Sequence, residues 1–159
     1  MAKAQPRDAT PDPKLLKPLS DVIAAGALPG ENEGFGDAAR AEAAAFMLAN
    51  GMKRVAGKPN IAIDSFANAE GKLAMRIAMA NDDMPFLVDS VAAALTTANI
   101  NIERLIHPVL DVVRDEKGML ASLSDKRGST SKRESYIYLE TERVEVGDQG
   151  AGHFRLTAK

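Results

Sequence analysis

Two adjacent carboxylates, Asp82 and Asp83, stand just ahead of a proline in the run Asn81-Asp82-Asp83-Met84-Pro85-Phe86-Leu87-Val88-Asp89-Ser90. If a helix follows, that run brings two chemistries to one turn. The first backbone N–H groups of a helix have no partner within it, and together with the helix dipole they favour an anion such as a carboxylate. A neighbouring aspartate can receive an ammonium group. A free amino acid carries both groups, which makes Asp82, Asp83, Met84, Pro85, Phe86 and Leu87 the candidate ligand-binding residues. The competing reading is that Asp82 or Asp83 caps the helix and binds nothing.

The elements that must hold this turn are legible on both sides of it. Leu73, Met75, Ile77 and Met79 alternate with small or charged residues, the period of a strand. Phe86, Leu87, Val91, Ala94, Leu95 and Ala98 recur at helical intervals, with Pro85 suited to the first turn. The strand's large residues should therefore face the helix. Ile61 and Ile63, with Phe66 a candidate third, form an earlier strand that turns through residues 67–71. Residues 100–113 read as a strand in which Pro108 removes a ladder donor, so an edge or a bulge is expected near His107-Pro108. Lys117-Gly118 turns into a short strand over 119–123, and residues 124–133 are a polar loop. The last strand covers 134–146, with Tyr136 and Tyr138 on the face opposite Ile137 and Leu139.

Upstream, residues 1–13 carry three prolines among polar residues and are expected to be disordered. Leu15, Leu16, Leu19, Val22 and Ile23 have helical spacing, with Pro18 expected to begin the regular part. A long helix follows from Asp37, its candidate cap, with Ala45, Leu48, Ala49, Met52 and Val55 on one face and Gly57 and Pro59 ending it. The domain reading is a tail over 1–13, a helical segment over 14–58, an α+β module over 59–146 and a truncated tail over 147–159.

Other candidate chemistry is weaker. Gly34-Phe35-Gly36 precedes a helix as a dinucleotide-binding turn does, but residues 28–33 do not read as the strand that turn requires. His107 and His153 have no cluster of ligands beside them; His107 could pair with Asp111. Asp82, Asp83 and Asp89 do not make a compact cation cage if the first two cap the helix. Lys126, Arg127, Lys132 and Arg133 around hydroxyl residues could bind phosphate, but a solvated hairpin loop explains them as well. No nucleophile–base pair or P-loop is visible, so no catalytic residue is assigned.

Composition narrows the classes further. Aromatic residues are only 4% of the chain, so the core must be aliphatic. A formal net charge of −2 gives no footprint for nucleic acid or an anionic membrane. With no cysteine, disulfides, thiolate catalysis and zinc–thiolate sites are excluded. No apolar run is long enough to span a bilayer, and a cytoplasmic location is the default expectation.

The run from Asp82 to Val91 resembles a signature near the N-terminus of the very long bacterial NAD-specific glutamate dehydrogenases. The likeness continues through His107-Pro108-Val109, Arg114-Asp115 with Gly118, and Glu134-Ser135, covering about residues 72–145. The strand–turn–helix with acidic residues and proline also resembles an ACT domain. The resemblance implies an ACT-like (ferredoxin-like related) α+β fold, with a mostly antiparallel sheet, helices on one face and additional N-terminal helices. An ACT module normally adds a helix after its last strand. Here that layer either comes from the N-terminal helices or lies beyond Lys159; the second is expected. The resemblance further implies a noncatalytic regulatory or assembly segment of a glutamate dehydrogenase. No cofactor is expected in this segment, and NAD would be bound elsewhere in the parent. The implied partners are other domains of the same chain, a free amino acid and further copies in a homo-oligomer. A free-standing amino-acid sensor and a purely structural docking module are the alternatives.

Overall fold

The structure is a computed structural model and describes residues 12–25, 34–68, 70–124, 126 and 131–143. The readings for the two termini and the tip of the 124–133 loop fall mainly outside those residues. The described chain runs α1 (Pro13–Ala25), α2 (Asp37–Gly51), β1 (Asn60–Ala67), β2 (Leu73–Asp82), α3 (Leu87–Thr97), β3 (Ile102–Ile106), β4 (Val109–Arg114), β5 (Leu120–Ser124) and β6 (Lys132–Glu142). The fold is α+β and ACT-like. Its strands form a single six-stranded antiparallel sheet of order β1-β2-β6-β4-β5, with β3 paired to β6.

β2 and the β3–β4 pair both run antiparallel to β6, which lies between them. They are therefore parallel to each other, and α3 makes the crossover of a split β-α-β unit. At His107-Pro108, where an edge or a bulge was expected, the strand breaks into β3 and β4. The Pro108 carbonyl instead accepts the Tyr136 N–H at 2.9 Å.

Alternation along β2 and β6 divides the core in two. Ile77, Met79, Ile137 and Leu139 face α3, where Leu95 is buried and Leu87, Val88 and Val91 pack beside it. Ala78, Ala80, Tyr136 and Tyr138 point the other way, into a larger core with Leu15, Leu19 and Ile23 of α1 and Met47 and Leu48 of α2. Helices thus cover both faces, α3 on one and the additional N-terminal helices on the other. The N-terminal helices do not supply a second helix beside α3. Small alanines on β2 are what let α2 lie close to the sheet. The expected register holds for Ile77 and Met79 but stops short of Leu73, which is 49% exposed.

Four local expectations need correction. Pro18 lies inside α1. Asp12 caps the start, its Oδ1 accepting the Lys14 N–H at 2.9 Å, so Pro18 forfeits one intrahelical bond while Leu15, Leu19 and Ile23 bury on one face. In α2 the N-cap is Gly36, not Asp37. The buried face of α2 is Ala43, Ala44, Met47, Leu48 and Gly51, leaving Ala49 exposed. That helix ends at Gly51 rather than near Gly57, and Val55 is 58% exposed. A Cβ on Gly51 would lie 2.6 Å from Tyr136 Cε1, so glycine is what admits the tyrosine ring under the helix end.

Candidate functional site

The 82–87 turn does not use its aspartates as caps. The N-cap of α3 is Phe86, with φ 64° and ψ 10°, and no side chain caps the helix. Phe86 is 77% exposed and Met84 52%. Phe86 therefore leaves the helical stripe it was expected to join, and Pro85 precedes the helix instead of opening it. A left-handed conformation is costly for a bulky side chain. Asp89 lies in the first turn of α3, where its charge complements the dipole.

Asp82, half exposed, belongs to a knot of ion pairs. It accepts from Arg54 Nη2, and its Oδ2 accepts the Gly57 N–H at 3.0 Å. Arg54 is 3% exposed, and its Nη2 also donates to Glu134 Oε2 at 2.9 Å. Arg114 grips Glu134 from the other side, Nε to Oε2 at 2.9 Å and Nη2 to Oε1 at 2.8 Å. Two cations and two carboxylates thus neutralise one another at one end of the sheet. The backbone completes the knot: Arg114 Nη1 donates to the Gly118 carbonyl and Nη2 to the Gly51 carbonyl, at 2.9 and 2.8 Å. These bonds satisfy the carbonyl at the end of α2 and lock the turn before β5 against it.

Asp83 is exposed and takes a different partner. Its Oδ1 accepts the Ser135 hydroxyl at 2.9 Å, and its N–H donates to the Arg133 carbonyl. Asp115 holds the 115–119 turn by accepting the N–H groups of Lys117 and Met119 at 2.8 and 3.0 Å. Gly118, with φ 81°, leaves no room for a Cβ against the Arg54 carbonyl. Asp111 accepts from Ser131 and Arg133, both at 2.9 Å, so the basic loop is tied to the sheet at its described end. His107, which could have paired with Asp111, is instead partly desolvated, with Asp83 the charge that acts on it.

The electrostatics follow from this packing. A hydrogen bond from Arg54 holds the Asp82 carboxyl below its usual range. Burial pushes Glu134 upward, but hydrogen bonds from Arg114 and Arg54 outweigh it and the carboxyl ends below its usual range. Burial also raises the Tyr136 and Tyr138 hydroxyls far above theirs. Desolvation lowers His107, with Asp83 opposing it.

A cleft of about 560 Å³ opens over the knot, with Arg54, Asp82 and Glu134 among its lining residues and Lys117, Lys132 and Asp83 also contributing. It takes in two of the six candidate ligand residues and leaves out Met84, Pro85, Phe86 and Leu87. Among the described residues, no group of three or more His, Asp or Glu is placed to hold a metal ion. No helix among them is long and apolar enough to cross a membrane.

Arg54 is the residue that the sequence did not single out. Its one visible signal is a cation beside Lys53, between a buried helix end and the Gly57 and Pro59 breakers. Arg114, Asp115, Gly118, Glu134 and Ser135 were linked to one another only by resemblance, and the structure gathers them at one end of the sheet with Arg54.

Comparison with curated proteins and with solved structures finds no match. A family model described as the glutamate dehydrogenase ACT1 domain matches residues 33–150, which include α2 and every strand of the sheet. With the motifs converging on one end of an ACT-like sheet, and a match that runs through most of its length, the chain belongs to the glutamate dehydrogenase ACT1 domain family.

Proposed function

We propose that the chain is a noncatalytic, N-terminal regulatory or assembly domain of a cytoplasmic, NAD-dependent glutamate dehydrogenase. The parent reaction is glutamate, NAD and water to 2-oxoglutarate, ammonia and NADH, with NAD bound in another part of the parent. The family match over residues 33–150 carries this reading. The charged motif residues support it, because Arg54, Asp82, Arg114 and Glu134, though they line the cleft, spend their charges on one another. Its partners are other domains of the parent and further copies of the chain; nucleic acid and membrane are not among them. The catalytic part of the parent, produced without this domain, should still form NADH from glutamate. Its response to amino acids or its subunit stoichiometry should change, and if neither does the reading fails.

One observation favours direct sensing at the same turn. No side chain caps α3, which leaves its first N–H groups for a carboxylate, and exposed Asp83, one oxygen of which accepts the Ser135 hydroxyl, would receive the ammonium. Asp82 is committed to Arg54, which shifts the charge partner to Asp83. Calorimetric titration with glutamate and other amino acids tests this. Asp83→Asn should then weaken binding by about 2 kcal/mol, the worth of a charge-assisted hydrogen bond. Absence of heat at millimolar amino acid would refute sensing by this chain.

A further inference from the structure

The two ends of the sheet are finished differently. β5 has five residues, and its pairing with β4 shifts register between Val113 and Arg114. The segment after α2 lies against the start of β5, through a bridge from Lys53 to Met119 and a 2.8 Å bond from the Leu120 N–H to the Met52 carbonyl. β3 is also short, and its register with β6 shifts between Ile102 and Arg104. These are the devices that keep an edge from pairing with another strand.

β1 has none of them. It pairs with β2 in unbroken register over eight residues, and among the described residues nothing pairs with its outer side. It contains no proline, glycine or lysine. Its single charge, Asp64, is joined to Arg76 on the neighbouring strand at 3.3 Å. Ile61 and Ile63 lie on the α3 face, 40% and 53% exposed, opposite the buried Met79 and Ile77. An edge this long and unbroken, with its one charge already paired and two isoleucines exposed, is built to accept a strand.

We infer that the outer edge of β1 is an interaction surface for a second copy of this chain, paired antiparallel about a twofold axis normal to the sheet. The edge itself identifies the occupant. A twofold pairing needs a strand complementary to itself, and opposite residues in an antiparallel pair share a face. Setting Ala62 on the axis places Ile61 of each copy opposite Ile63 of the other, so both exposed isoleucines gain an apolar neighbour at once. The alternative register with Asp64 on the axis opposes like charges and is disfavoured. A charged peptide strand finds no counter-ion on this edge, because Asp64 is already joined to Arg76. The surface deepens the assembly role proposed above, but it rests on the sheet geometry and not on the parent reaction.

Sedimentation equilibrium of the 159-residue chain, from micromolar to millimolar concentration, tests the inference. The apparent mass should rise reversibly toward twice that of the chain. Ile61→Lys/Ile63→Lys should remain monomeric with an unchanged far-ultraviolet circular dichroism spectrum. A control, Val55→Lys, should associate like the wild type, because Val55 is exposed but outside β1. Hydrogen exchange on the wild type gives an answer independent of variant folding: protection of β1 amides should increase with concentration. A wild-type mass that stays monomeric throughout would overturn the proposal. So would a folded double variant that still dimerises, or protection that grows at β3 or β5 and not at β1. None of these outcomes bears on whether the parent is a glutamate dehydrogenase.

Discussion

Arg114 holds Glu134 with two hydrogen bonds of 2.9 and 2.8 Å, joining the end of β4 to the start of its neighbour β6 at one end of the sheet. Arg54 donates to the same carboxylate, so one buried acid neutralises two guanidinium groups from distant parts of the chain. Removing the acid would leave two guanidinium groups, Arg54 and Arg114, with one remaining carboxylate, Asp82, which of the two bonds only Arg54. Glu134→Ala should therefore cost about 3–5 kcal/mol, the range for breaking one side of a buried pair. Urea denaturation gives the value, and a loss below about 1 kcal/mol would show the knot to be ornamental.

Acid should unfold the protein through the same carboxylates. Glu134 and Asp82 both lie below their usual range in the folded state, so folding opposes their protonation. Their contribution is present in full above the unfolded value of about 4, and it is lost as pH falls through the lower folded values. Denaturation midpoints should fall on acidification below about pH 4. In Glu134→Gln that acid limb should be shallower, since one of the two depressed groups is gone. An acid limb of equal slope in both proteins would contradict the assignment.

Two glycines should resist substitution for different reasons. Gly118 has φ 81° and sits against the Arg54 carbonyl, so Gly118→Ala meets both backbone strain and a rigid neighbour. A loss of at least about 1–3 kcal/mol is expected from the strain alone. Gly51→Ala would drive a methyl group to 2.6 Å from the buried Tyr136 ring, and overpacking of that kind costs about 1–3 kcal/mol. Gly57, also at positive φ, has nothing within 4 Å of a Cβ, so Gly57→Asn should be milder than either. Thermal melting of the three variants ranks them.

Phe86 predicts a gain. It is 77% exposed, buries little, and holds φ 64° at the entry to α3. Phe86→Gly removes the left-handed penalty of about 1–2 kcal/mol at almost no loss of burial. The variant should melt higher than wild type. A lower melting temperature would mean that the ring contributes packing which its exposure does not reveal.

Much of this fold was legible because strands and helices leave periodic marks. The alternation of Ile77 and Met79 with Ala78 and Ala80, and of Tyr136 and Tyr138 with Ile137 and Leu139, assigned both faces of the central strands. Pro108 marked the break between β3 and β4 because it cannot donate to a ladder. The site was harder. Asp82 and Asp83 had the right types for caps, and local rules describe caps well. Asp82 answers instead to Arg54, 28 residues earlier in the chain, and Asp83 to Ser135, 52 residues later. Pairing at such separation leaves no periodic mark. Leu73 failed for another reason: alternation tells which face a residue shares, not whether anything covers that part of the face. α3 packs over Ile77 and Met79, and the β1 side of the same face stays open.

The noncatalytic role is tested most directly by assaying the purified 159-residue chain for glutamate-dependent NADH formation, alongside a calorimetric titration with NAD. The account predicts no turnover and no NAD binding. Turnover that scales with the chain and survives complete removal of host glutamate dehydrogenase would contradict it.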